Sequence, residues 1–159
     1  MTADIGLGLS VVATALWSGL LLTLTTILHP MFAPRTATGF TEDMHRFLPI
    51  ARTSPTNHVL VVALVAGPVV ALVGLWPEAG SAPFVLTAAG LTATITGPLV
   101  MSDRLAEPNY AVIMSWDPEA VPPDWQIARA RYFRLNWTRA ALTWLALVLF
   151  TAAAYLYFT

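Results

Sequence analysis

Four apolar stretches without an internal Asp, Glu or Arg dominate the 159-residue chain, and they constrain its fold more than any other feature. They cover about residues 5–28, 59–76, 83–101 and 140–158. Each is close to the ~20 residues that an α-helix needs to cross the hydrocarbon core of a bilayer. The last stretch extends backwards without a break to Trp125, where Pro122, Pro123 and Asp124 mark a helix start.

The composition agrees with a membrane location. Hydrophobic residues make up 57% of the chain and charged residues only 11%, whereas a soluble domain carries about 25% charged residues. We therefore predict an all-α fold: one domain over residues 1–159, a four-transmembrane-helix bundle with two long cytoplasmic loops. The predicted helices cover about residues 5–28, 59–76, 83–101 and 125–158.

Several function classes are excluded at this stage. The absence of Cys excludes a disulfide framework, a thiol nucleophile and a cysteine-bound iron–sulfur cluster. A net charge of −1 argues against nucleic acid as a partner, because nucleic-acid binding needs a basic surface. The expected partners are a hydrophobic small molecule and the lipid bilayer, and the sequence leaves a homo-oligomer open.

The eight basic residues are all Arg, and they fall in two segments. Arg35, Arg46 and Arg52 lie between the first and second apolar stretches. The other five precede the fourth stretch: Arg104, Arg129, Arg131, Arg134 and Arg139. By the positive-inside rule, both segments are cytoplasmic and both termini lie outside. We expect an integral protein of a bacterial inner membrane.

Polar residues recur at helical spacing on three of the predicted helices. The stripes are Ser18, Thr25 and His29 on the first helix; Thr92, Thr96 and Asp103 on the third; and Tyr132, Asn136, Arg139 and Thr143 on the fourth. All three run toward the cytoplasmic side, so we expect them to converge on a pocket that opens there. Arg139 lies about one turn inside the apolar boundary, where an unpaired charge is costly. It is predicted to pair with Asp103 or to serve the pocket.

The long stretch between Met101 and Trp125 is predicted to be a loop that folds over the mouth of the pocket, because long loops in compact domains are usually functional. Side chains expected to contact a substrate are Asn57, Trp125, Tyr132 and Trp137.

Two short motifs resemble the anthrone-oxygenase-like family of small four-helix membrane proteins. The stretch 134–139 (RLNWTR) is similar to that family's pattern of Trp, three residues, Asn, two residues and Arg, with Tyr132 and Phe133 in place of the Trp. The stretch 100–105 (VMSDRL) resembles a family segment in which Val100 stands for a Pro and Ser102 for an Asn. The His29–Pro30 pair at the end of the first helix also fits.

The resemblance implies a monooxygenase that converts an anthrone-type polyketide, or a similar phenolic compound, into a quinone. It implies no cofactor beyond O₂, and no Gly-rich dinucleotide motif is present in the sequence. In this interpretation His29 or His58 is the general base, and Asn136 and Arg139 stabilise the enolate oxygen. Asp103 orients these groups or pairs with their charge.

Alternatives from other classes stay open. His29, His45 and His58 fall on the same predicted side as Asp103, so they are candidate ligands for copper or iron, or for haem. A transport subunit or a non-enzymatic assembly subunit would also be small and apolar. Metal analysis, flux measurements and co-purification of a partner distinguish these classes.

Overall fold

The computed structural model describes all 159 residues and contains five helices and no strand. The helices are α1 (Thr2–Phe32), α2 (Ala37–Thr53), α3 (Pro55–Gly74), α4 (Ala82–Met114) and α5 (Trp125–Phe158). All except α2 are long and apolar enough to cross a membrane. The prediction of an all-α fold with four such helices is confirmed.

Helix α1 packs along α3 and α5, and α4 packs against α5 and α3. Small residues allow α1 and α3 to approach closely. A Cβ atom on Gly67 of α3 would lie only 2.8 Å from the backbone nitrogen of Ser10. Close backbone packing of this kind holds apolar helices together where burial in lipid gives no hydrophobic advantage.

Both α1 and α4 contain a π-helical segment, at Leu24–Leu28 and Ile95–Ala106 respectively. Pro98 lies in the second segment and has no N–H to donate. The sequence predicts a kink and a helix end near this residue. The helix does not end there but continues through the π turns that contain Pro98.

Two features differ from the predicted loops. The third predicted helix ends at Met101, but α4 continues to Met114, because Ala106, Tyr110 and Ile113 extend its buried face at helical spacing. Only residues 115–124 remain irregular, and Asp124 makes no capping hydrogen bond through its side chain. The first predicted loop contains α2.

Helix α2 is amphipathic and lies at one end of the bundle. Its buried residues include Phe40, Met44 and Leu48, which join a hydrophobic cluster with α4 and α5. The Thr36 hydroxyl caps its first turn by accepting a hydrogen bond from the backbone N–H of Gly39 at 3.2 Å.

The eight Arg residues lie at the same end of the bundle, which we call the arginine end. It comprises the end of α1, all of α2, the start of α3, the end of α4 and the start of α5. The Arg129 guanidinium donates to the carbonyl oxygen of Ala33 at 2.8 Å and so ties α5 to the end of α1. At the opposite end, the Tyr157 hydroxyl donates to Asp4 at 2.8 Å.

Candidate functional site

A cavity of about 930 Å³ lies near the arginine end, within the range of ~300–1,000 Å³ typical of small-molecule sites. Its walls come mainly from α1, α2, α3 and α4, and α5 contributes Tyr132 and Arg139. Most of the lining is apolar. Its charged and polar lining residues include Arg52, Asn57, His58, Asp103, Glu107, Tyr110, Tyr132 and Arg139.

A hydrogen-bonded network centred on Asn136 adjoins this cavity, which its members Tyr110 and Arg139 line. Asn136 is fully buried. Its Oδ1 accepts from the Arg139 guanidinium at 3.1 Å and from the Tyr110 hydroxyl at 3.5 Å. The same guanidinium nitrogen of Arg139 also donates to the Tyr110 hydroxyl at 3.2 Å. Three side chains from α4 and α5 therefore hold one another in place.

Arg139 has no carboxylate partner. None of the four ion pairs in the structure includes it, and its Nε is buried without a hydrogen-bond acceptor. Of the two alternatives for Arg139, the pair with Asp103 does not form, and Arg139 lines the cavity. Asp103 also lines the cavity, but its carboxylate is largely exposed and lies 3.3 Å from Nε of its neighbour Arg104. The guanidinium of Arg139 is thus held by two neutral dipoles.

His29 is buried behind the cavity wall rather than on it. Its Nε2 lies 3.4 Å from Nδ2 of Asn136, and its ring packs at 4.4 Å from Phe133 and 5.5 Å from Tyr132. Because the Asn136 amide nitrogen can only donate, Nε2 of His29 is the acceptor and Nδ1 carries the proton. With its only acceptor nitrogen engaged by Asn136, His29 helps to orient the network.

His58, by contrast, lines the cavity. Its Nδ1 lies 2.8 Å from the carbonyl oxygen of Ser54. A carbonyl only accepts, so Nδ1 carries the proton and Nε2 keeps a free lone pair. Asn57 also lines the cavity, and its amide donates to the Ala51 carbonyl at 2.9 Å across the junction of α2 and α3.

The three His residues lie in separate surroundings. Nε2 of His45 contacts the carbonyl oxygen of Ile113 at 3.3 Å, away from both His29 and His58. The chain contains no group of three or more His, Cys, Asp or Glu side chains that could hold a metal ion. The structure therefore does not bring His29, His45 and His58 together as the metal alternative required.

Two of the expected substrate contacts lie outside the cavity. Trp125 packs against Phe40 at 5.8 Å and beneath the Arg129 guanidinium at 4.4 Å. Trp137 is 45% exposed and meets Trp144 edge to face at 6.1 Å.

The three predicted polar stripes differ in how well they agree with the structure. Ser18, Thr25 and His29 are buried on one face of α1, as expected, and so are Tyr132, Asn136 and Thr143 on α5. On α4 only Asp103 of the predicted stripe lines the cavity. Thr92 and Thr96 are exposed, and their hydroxyls donate to backbone carbonyls of their own helix. Helix α4 contributes Tyr110 to the network instead.

Sequence reasoning missed Tyr110 and the ion pair between Arg52 and Glu107. That pair joins α2 to α4 at 2.6 Å beside the cavity. Within the stretch expected to be a loop, the helical part lines the cavity through Ser102, Asp103, Glu107 and Tyr110, whereas the irregular residues 115–124 do not. Helix α2 also lines the cavity, through residues between Phe47 and Arg52. The missed signal was the helical spacing of Ala106, Tyr110 and Ile113, which Pro108 and the neighbouring charges obscured.

No family model, curated protein or solved structure matches the chain.

Proposed function

We propose that this protein is a membrane-bound oxidase or monooxygenase that binds an electron-rich, ionisable hydrophobic molecule in the cavity and promotes its reaction with O₂. An anthrone-type or other phenolic compound has the required chemistry. The observation that carries the proposal is the guanidinium of Arg139, which has no carboxylate partner and lies on the wall of a mainly apolar cavity.

A guanidinium in this position favours the anionic form of a bound molecule. Its attraction for an oxyanion is stronger in apolar surroundings than in water. Preorganised donors aimed at a developing oxyanion are usually the largest single contribution to this kind of catalysis. The Tyr110 hydroxyl accepts from the same guanidinium and donates to Asn136, and so helps to hold Arg139 in place.

His58 is the general base in this proposal, because His58 lines the cavity and its Nε2 makes no hydrogen bond within the protein, whereas His29 does not line the cavity. His58 takes a proton from the CH₂ group of the anthrone and leaves an enolate whose oxygen lies against Arg139. The electron-rich enolate then reacts with O₂. One oxygen atom becomes the new carbonyl of the quinone and the other leaves as water, so that anthrone plus O₂ gives anthraquinone plus H₂O. The electrons that reduce O₂ come from the substrate.

The test is O₂ consumption and quinone formation by protein purified in detergent, with anthrone as the probe substrate. We expect Arg139→Lys to lower turnover by about tenfold or more, because Lys lacks the planar fork that fixes an oxygen between two donors. The matched control is Arg46→Lys, since Arg46 is exposed on α2 and does not line the cavity.

Wild-type turnover in Arg139→Lys would remove Arg139 from the reaction. If the wild-type protein gives no quinone above the rate of protein-free detergent, the oxidase proposal is wrong for this substrate class.

A further inference from the structure

A second groove lies at the arginine end, on a surface that shares no lining residue with the cavity. It runs between α4 and the first turns of α5. Its lining residues are Met101, Leu105, Ile127, Ala130, Arg131, Arg134, Leu135 and Thr138.

The groove carries two positive charges without counter-ions. Arg131 and Arg134 are three residues apart on α5, so their side chains share a face of the helix. Both are exposed, and neither belongs to any of the four ion pairs in the structure. Met101, Leu105 and Leu135 form an apolar surface beside these two charges.

The length of α5 gives the depth of the two arginines relative to a bilayer. The helix has 34 residues and is therefore about 51 Å long, while the hydrocarbon core is about 30 Å thick. If the apolar run from Ala140 to Phe158 fills that core, Arg134 and Arg131 lie about 8 and 12 Å beyond Arg139 along the helix. These backbone positions lie at and beyond the outer edge of the headgroup region, which is about 5–8 Å thick on each side, and the long Arg side chains can extend back to the phosphate groups.

We propose that this groove is a binding site for an anionic phospholipid. The phosphate group lies between the Arg131 and Arg134 guanidiniums, which match the geometry of phosphate oxygens. An acyl chain then follows the apolar surface of Met101, Leu105 and Leu135 toward the bilayer interior. The apolar surface and the depth favour a lipid over a soluble phosphate, and basic pockets between membrane helices are suited to anionic headgroups.

The test measures lipid retention by native mass spectrometry of the purified full-length protein, using phosphatidylglycerol and phosphatidylcholine with identical acyl chains. We expect the wild-type protein to retain phosphatidylglycerol in preference to phosphatidylcholine. The double variant Arg131→Gln/Arg134→Gln should lose this preference, with about a tenfold fall in retained phosphatidylglycerol. The matched control is Arg46→Gln/Arg104→Gln, which removes the same charge from exposed arginines at the same end of the bundle but outside the groove.

Three outcomes overturn the proposal. One is equal retention of the two lipids by the wild-type protein, a comparison that does not depend on any variant. Another is an equal loss of phosphatidylglycerol in the control pair, which would indicate a general effect of net charge. The last is complete displacement of the lipid by millimolar inorganic phosphate, which would mean that the two arginines recognise phosphate alone and the apolar surface contributes nothing.

Discussion

Asn136 is suited to its position because an amide both donates and accepts hydrogen bonds. Its oxygen serves Arg139 and Tyr110, while its nitrogen faces the acceptor nitrogen of His29. An Asp in the same place would offer only acceptors when ionised, and it would neutralise the guanidinium that the proposed substrate needs. The neutral amide thus orients Arg139 without cancelling its charge.

Because Asn136 is fully buried, its removal should destabilise the protein. We expect Asn136→Ala to lower the free energy of unfolding by about 1–3 kcal/mol, since partner groups in the interior lose their hydrogen bonds. Thr151→Ala on the same helix is the control, because the Thr151 hydroxyl is exposed and donates only to the Leu147 carbonyl. Thermal unfolding in detergent measures both. Equal midpoints for the two variants would show that the network does not contribute to stability.

At the level of helices, the sequence predicts whatever depends on long apolar runs. Four such runs indicate four helices because a bilayer accepts no other arrangement of an apolar segment of that length. Helix α2 has the spacing of an amphipathic helix in Phe40, Met44 and Leu48, but it carries several charges and an internal Pro49, so hydropathy alone does not reveal it. The continuation of α4 to Met114 follows the helical spacing of Ala106, Tyr110 and Ile113, but Pro108 and the neighbouring charges interrupt the apolar run that hydropathy detects.

The contact between α1 and α3 depends on specific glycines. A Cβ atom added at Gly6 would overlap the backbone of Ala71, whereas one added at Gly8, two residues along the same helix, would meet nothing within 4 Å. We expect Gly6→Ala to lower the unfolding midpoint in detergent, because the two helices must move apart. Gly8→Ala should leave the midpoint unchanged or raise it, since Ala favours a helix over Gly by about 0.5–1 kcal/mol. A fall of the same size in both variants would mean that α1 and α3 do not approach this closely.

Across the whole molecule, the candidate site lies at the end where three helices are longer than the hydrocarbon core of a bilayer is thick. Helix α3 has 20 residues, about the 30 Å of the hydrocarbon core, but α1, α4 and α5 have 31, 33 and 34 residues. The longer helices extend beyond α3 at the arginine end, and α2 packs there against α4 and α5. The sequence predicted that His29, Asn136 and Arg139 lie together because they end polar stripes at this side. It could not predict that Asp103 pairs with Arg104 and not with Arg139, since helical spacing alone does not fix the rotation of one helix against its neighbour.

The position of all eight Arg residues at one end predicts how the molecule is inserted. By the positive-inside rule we expect that end to be cytoplasmic and the end that holds Asp4 and Glu78 to be outside. The chain has no Cys, so single cysteines can be introduced without background. We expect Thr2→Cys and Glu78→Cys to react with a membrane-impermeant maleimide in intact cells. Glu42→Cys and Ala120→Cys, at exposed positions of the arginine end, should react only after the membrane is permeabilised.

None of these substitutions removes an Arg, so the charge bias that directs insertion is unchanged. The reverse labelling pattern would place the cavity on the outer side of the membrane and would contradict a cytoplasmic source for its substrate.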